Sequence, residues 1–347
     1  MNIAIVIPRV TGGVKTTSNK LINALRYEKI SLDVYLMKNW HDRLKLEANN
    51  YDAVIFLGSI PPISSLSVSV PKLLFVHGFI RHEAIGLLRQ YNPRSIMGGL
   101  SMLIKNEFYQ IFEKFDAYIC GSYTTCEANK IIDRKHIILP HFIIDKELAR
   151  TEEVFNKKIK FLEKMKNKDY VSIIGYLSHA HSPRLLTIEQ FISLAKILDK
   201  KIKRKVLFSI IDPHVSSIQI KESYKIKLMI IPFIRRAYFL KLLYNSDLYL
   251  ERCIDEELGS ASLEAGLLGT PVAKITHTNF LIRQDYTSNE ILVASSLNDF
   301  VEKLAEYIND IEYFEPLYSI KLRQYIIHKR HWNSVKAGLI NYLRQIT

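Results

Sequence analysis

Apolar residues fall in short runs, separated by longer stretches where they recur every three to four positions. In the first half the runs are Asn2–Pro8, Leu32–Met37, Ala53–Gly58, Lys72–His77, Asp116–Cys120 and His136–Phe142. They are rich in Ile, Val, Phe and Tyr, too short for core helices, and bounded by turn residues, which predicts strands. Thr17–Arg26, Leu100–Phe115 and Thr124–Ile132 carry the amphipathic spacing of helices between them. Near-continuous apolar strands alternating with helices predict a parallel sheet covered on both faces.

The second half repeats the scheme. Its strand-like runs are Tyr170–Leu177, Lys205–Ile211, Lys227–Phe233, Asp247–Arg252, Thr270–Ile275 and Glu290–Ala294, with helices expected at Arg184–Leu198, Arg236–Tyr244, Ser260–Leu268 and Leu297–Ile308. A polar, lysine-rich stretch near 146–169 marks the boundary, and a long helical segment, Tyr318–Gln345, carries Trp332. A chain of 347 residues suits two domains. The expected division is 1–150, 151–315, and a helical segment 316–347 that crosses back to the N-terminal domain. In doubly wound sheets ligands lie beyond the carboxyl ends of the strands, and two such domains facing each other across a cleft give a small-molecule site.

Composition narrows the class. Hydrophobic residues make up 48 % and charged residues 24 %, an ordinary globular balance. No apolar stretch approaches the ~20 residues that span a bilayer. Met1 leads directly into Ile3–Ile7 without a basic region or cleavage site, so no secretory signal is expected. The net charge of +13 is shared: residues 1–150 hold 19 Lys/Arg against 13 Asp/Glu, the rest 29 against 22. This spread fits either anionic ligands, such as a nucleotide diphosphate or an acidic lipid surface, or a solvated lysine-rich exterior. No aromatic-interleaved basic motif points to nucleic acid. The three cysteines, Cys120, Cys126 and Cys253, read as small buried hydrophobes in a reducing, cytoplasmic compartment, with Cys120 and Cys126 neither a metal nor a redox pair.

Two constellations carry chemistry. Gly12-Gly13 follows the first strand and precedes a helix, where backbone amides approach an anion closely. It is not a G-x-G-x-x-G fingerprint. The second is Glu256-Glu257-Leu258-Gly259-Ser260-Ala261-Ser262-Leu263-Glu264-Ala265, followed by Gly269-Thr270-Pro271-Val272. Glu256 belongs to the loop after a strand, and Glu264 falls about one turn into the helix that Gly259 and Ser260 open. The two carboxylates converge on one helix N-terminus, where they accept from sugar hydroxyls while free amides donate to phosphate or sugar oxygens. Acids that only complement the helix dipole are the simpler alternative.

The Glu-x7-Glu pattern with its trailing Gly-x-Pro-Val resembles the signature of retaining GT-B glycosyltransferases, specifically glycosyltransferase family 4. Other matching features stand in the same order: Gly12-Gly13-Val14, Val76-His77-Gly78, Cys120-Gly121-Ser122-Tyr123-Thr124 and Leu139-Pro140-His141-Phe142-Ile143-Ile144-Asp145. The resemblance implies an α/β chain of GT-B architecture with two Rossmann-like domains. It implies that Glu264 binds the donor ribose, that Glu256 lies near the transferred sugar, and that Gly259 and Ser260 offer amides. Gly13, beside Gly12, then touches the diphosphate or acceptor side, and His77 lies near the anomeric centre.

One departure concerns the leaving group. Such enzymes usually carry Gly-Arg after the first strand of the second domain, then a Lys; here the sequence is Gly175-Tyr176, followed by Arg184 as candidate cation, with His179 and His181 nearby. The expected activity is therefore transfer of a hexose from a nucleotide-diphosphate sugar to a glycan, lipid-linked or protein-linked acceptor, with retention, no cofactor and no catalytic metal. A nucleotide-sugar epimerase and a degenerate sugar-binding pair are the alternatives. The segment from Phe79 to Phe115, which mixes Arg81, Arg89, Arg94 and Lys105 with apolar residues, is expected either to pack as a core helix plus loop or to meet an anionic bilayer peripherally.

Overall fold

The structure, a computed structural model, describes residues 1–8, 13–37, 51–58, 69–76, 84–85, 88, 93–107, 111–164, 170–176, 188–212, 215–254, 257–281 and 284–347. The chain divides into two compact units, Met1–Ile144 with Trp332–Thr347, and Asp145–His331.

In the first unit β1 (Asn2–Pro8), β2 (Ser31–Met37), β3 (Ala53–Gly58), β4 (Lys72–Val76), β5 (Ala117–Cys120) and β6 (His136–Ile138) form a sheet in the order β2-β1-β3-β4-β5-β6. Every pairing in it is parallel. Successive strand residues point to opposite faces, so one apolar run feeds two cores. Ile3, Ile5 and Ile7 pack with Leu21 and Leu25 of α1 (Gly13–Tyr27) and with Trp332, Leu339 and Leu343 of the C-terminal helix. Ala4 and Val6 turn the other way, to Phe56, Phe115, Tyr118 and Ile131.

Helix α2 spans Pro93–Glu107, and α3 (Tyr123–Ala128) follows β5. Ser122 caps α3, its hydroxyl accepting from the Thr125 amide at 3.0 Å. This turn overturns one expectation. Cys120 and Cys126 are disulfide-bonded, with Cα atoms 5.7 Å apart. Counted along an extended chain the two are distant, but a strand end followed at once by a capped helix folds the second cysteine back over the first. Both are buried, whereas Cys253 is a partly exposed free thiol.

In the second unit β7 (Tyr170–Tyr176), β8 (Lys205–Ile211), β9 (Gln219–Glu222), β10 (Ile226–Ile231), β11 (Leu248–Leu250), β12 (Val272–Ile275) and β13 (Leu292–Ala294) form a second sheet. Its order is β13-β12-β11-β7-β8-β10-β9. All neighbours are parallel except β9, an exposed polar edge strand antiparallel to β10. The chain proceeds outward from β7 through β8 and β10, then returns to lay β11 on the other side of β7. This reversal is the topological switch point, the place where ligands bind open α/β sheets.

The helices of this unit are α4 (Asp145–Leu162), α5 (Ile188–Leu198), α6 (Arg236–Tyr244), α7 (Ser260–Leu267), α8 (Thr278–Leu281), α9 (Leu297–Asn309) and α10 (Ile311–Lys329). The long terminal helix expected from the sequence is two helices, α10 and α11 (Trp332–Ile346), divided at Arg330–His331. At the division the Trp332 amide donates to the Ile143 carbonyl at 2.8 Å. The Trp332 ring packs on Phe142 at 4.9 Å, and its Nε1 donates to Glu28 at 3.1 Å.

Candidate functional site

The switch point gathers a set of polar side chains. Leu250 pairs with Gly175, so the residues after β11 emerge beside the end of β7. Gly175 fits a tight place: a Cβ there would lie 3.0 Å from Ile210 Cδ1 on β8. Tyr176 then closes β7, its ring 6.1 Å edge-on to Phe239 of α6, which in turn meets Tyr249 at 6.4 Å. The aromatic row sets one wall of the strand ends.

Glu251 and Arg252 come directly after β11. Glu251 is 4 % exposed, and its carboxylate accepts from the Ser262 hydroxyl and, at 3.3 Å, from the Cys253 amide. It lies against the start of α7. A Cβ on Gly259 would sit 3.3 Å from Glu251 Oε2, so the close approach there favours glycine. Gly259 is the N-cap of α7, with no side-chain cap bond, and Ser260 is the first helical residue. Lys274 of β12, wholly buried, donates to the Cys253 carbonyl and so fixes the loop from beneath.

The Arg252 guanidinium lies over the Tyr176 ring, 5.4 Å from its centroid. Its Nη1 is buried and has no hydrogen-bond partner among the described residues. Burial works against its charge, but Cys253, Tyr249 and Glu251 outweigh that, so the pKa is raised and the side chain stays cationic. Burial likewise pushes the Tyr249 hydroxyl well above its ordinary range, with Glu251 adding to the effect.

Glu264 stands on α7, and its Oε1 pairs with Nη2 of Arg236, the first residue of α6. Arg236 is half exposed and Glu264 mostly buried, so the pair sits at the rim of the strand ends. One residue past Glu256, Glu257 is held by Arg330 at 3.2 Å. Arg330 also reaches Asp285 at 2.6 Å and the Tyr325 hydroxyl at 2.7 Å. Burial opposes the Arg330 charge, yet Glu257, Tyr325 and Asp285 more than offset it and its pKa is raised.

Of the residues singled out in the sequence, the structure brings Gly175, Gly259, Ser260 and Glu264 to the second unit's switch point. Gly13 opens α1 after β1 in the first unit. Gly12, His77, Arg184 and Glu256 lie outside the described residues, as do His179 and His181. Glu251, Arg252 and Arg236 also stand at the site and are not marked by any sequence motif. Only the strand-to-loop boundary after Leu250 signals the first two, and the apolar run predicts a strand through Arg252, two residues beyond the end of β11.

The two α/β units have the GT-B fold. The chain is similar in structure to HepE of Anabaena, solved with UDP and glucose, at a TM-score of 0.55 and 10 % identity, covering 99 % of each chain. Sucrose-phosphate synthase from Thermosynechococcus elongatus is similar at a TM-score of 0.60 and 11 % identity, again covering 99 % of each. WaaG, a glycosyltransferase involved in lipopolysaccharide biosynthesis, is similar at a TM-score of 0.58 and 12 % identity over 99 % of each chain. No protein-family model and no curated protein matches the sequence.

Proposed function

We propose that the chain is a glycosyltransferase that moves a hexose from a nucleotide-diphosphate sugar to a glycan, lipid-linked or protein-linked acceptor. The observation that carries this reading is Glu264, a carboxylate on α7, the helix that Gly259 and Ser260 open at the switch point of the second sheet. A carboxylate there accepts from two adjacent ribose hydroxyls, while the amides at the start of α7 donate to anionic oxygens. The second unit takes the donor. The first unit, which holds Gly12 and Gly13, serves the acceptor. Glu256 and His77 act near the transferred sugar, and Arg184 near the diphosphate. Transfer proceeds with retention and without a metal or organic cofactor. HepE has been solved with UDP-glucose, which makes UDP-hexoses the first donors to try.

The experiment is a panel of UDP-, GDP- and ADP-hexoses in EDTA, with release of nucleoside diphosphate as the readout. Release from one donor, lost in Glu264→Ala, is the expected result. An isomerised hexose formed without acceptor identifies an epimerase instead. Tight binding with no turnover in the presence of lipid and glycan acceptors identifies a binding protein. Failure to bind every donor overturns the reading.

The acceptor side meets an anionic membrane surface peripherally. Among the described residues no helix is long and apolar enough to cross a membrane. Helix α2 nevertheless exposes Met97, Leu100 and Ile104, spaced along one face, with Arg94 exposed nearby. That combination of apolar stripe and cation suits an interface. Flotation with phosphatidylglycerol vesicles at low salt, reduced in Met97→Ser/Leu100→Ser, is expected; no flotation removes the membrane from the account.

A further inference from the structure

The Gly175-Tyr176 sequence leaves the end of β7 without the arginine expected there, and the structure sets another cation beside the gap. Arg252 follows β11, the strand on the opposite side of the switch point from β8, and crosses to lie over Tyr176. We infer that Arg252 is the side chain that receives the donor diphosphate, with the Tyr176 ring as the platform that holds its guanidinium at the carboxyl ends of β7 and β11. This assignment rests on the nucleotide-sugar reading above.

Three observations support it. The guanidinium is placed where open α/β sheets bind ligands, between two strands that leave the sheet at the reversal of strand order. Its Nη1 is shielded from solvent without a hydrogen-bond partner among the described residues, an arrangement that costs free energy unless a ligand completes it. The neighbouring carboxylate of Glu251 is engaged by the Ser262 hydroxyl and the Cys253 amide. A planar fork of donors on an aromatic face suits a phosphate better than a mobile ammonium does.

In the transfer, the bond from the anomeric carbon to the β-phosphate oxygen breaks, and its electron pair goes to that oxygen. The acceptor hydroxyl oxygen bonds to the anomeric carbon, and its proton passes to the departing diphosphate. Negative charge therefore grows on the diphosphate, and a cation in reach of it stabilises the transition state more than the ground state. Arg252 supplies from across the sheet what Tyr176 lacks.

The test measures binding of UDP against UMP, GDP against GMP and ADP against AMP by calorimetry, so that the difference isolates the second phosphate. For the cognate base, wild-type protein is expected to prefer the diphosphate. Arg252→Gln and Arg252→Met, two neutral replacements with different packing, are each expected to lower that preference about tenfold to a hundredfold, the scale of hydrogen bonds to charged groups. Arg252→Lys is expected to restore part of it. Thermal unfolding of the unliganded variants identifies any that does not fold, and the other neutral variant then decides. A folded neutral variant with the wild-type preference overturns the Arg252 assignment and leaves the donor reading standing. Wild-type protein that binds no nucleoside diphosphate overturns both.

Discussion

Arg330, 0 % exposed, holds Glu257 at 3.2 Å and thereby ties the loop before α7 to the C-terminal end of α10. The arginine also donates to Asp285 and Tyr325, so the buried charge is matched on several sides. Removing one member of such a set leaves the other charge stranded in a poorly solvated place. Arg330→Met is expected to cost about 3 kcal/mol in urea unfolding. Arg330→Met/Glu257→Gln is expected to cost less than the sum of its parts, because the stranded charge goes with its partner. Additive losses in the double-mutant cycle would show that the two residues do not act together.

Gly266 faces α10 closely enough that side-chain volume decides its identity. A Cβ there would overlap Ile326 Cδ1 and lie 2.7 Å from Leu322 Cγ. Alanine improves helix propensity by up to about 1 kcal/mol, but forcing a methyl into this contact costs about 1–3 kcal/mol. Leu322 and Ile326 are both buried and have little room to withdraw. Gly266→Ala is therefore expected to lower the Tm by a few degrees. A Tm that stays level or rises would mean that α10 shifts without cost.

The fold was largely legible because its strands bury both faces. The runs Asn2–Pro8 and Lys205–Ile211 are strands over the lengths their composition predicts. Strand β9 was not legible: Gln219–Glu222 is a polar edge fixed only by its antiparallel pairing with β10, which sequence periodicity does not carry. The split between α10 and α11 was missed because no proline or glycine marks it; the Trp332 amide instead leaves the helical ladder for the Ile143 carbonyl. At the candidate site, Gly259, Ser260 and Glu264 were readable as a local pattern. Arg252 was not, because it stands far from Tyr176 along the chain and meets it only through the pairing of β11 with β7, and adjacency across a sheet depends on strand order.

The disulfide missed in the sequence makes a chemical prediction. Cys120 and Cys126 are joined and Cys253 is free. Alkylation of the denatured, unreduced protein should therefore label one thiol, at Cys253, by peptide mass spectrometry. Closing so short a loop is worth about 2 kcal/mol, so reductant should lower stability by that order. Three labelled thiols in unreduced protein would refute the pairing.

Glu28 gives the clearest pH dependence in the first unit. Its carboxylate accepts from Lys336 Nζ at 3.0 Å and Trp332 Nε1 at 3.1 Å, joining α1 and the segment after it to α11. The hydrogen bond from Lys336 is the main cause that holds its pKa below the ordinary 4.5; burial works against this, and Trp332 adds to the lowering. A carboxyl whose folded pKa is depressed stabilises the fold above its unfolded pKa, and loses that stabilisation as pH falls through the folded value. Solvent reaches this pair, so its contribution is about 0.5–1 kcal/mol. Glu28→Gln keeps the size of the side chain and removes its charge. The Tm difference between wild type and Glu28→Gln is expected to be full at pH 6–8 and to shrink below about pH 4.5. Other carboxyl groups titrate in both proteins and cancel in the difference. A gap that persists unchanged to pH 3 would assign the stabilisation to packing around Trp332 and not to the charge on Glu28.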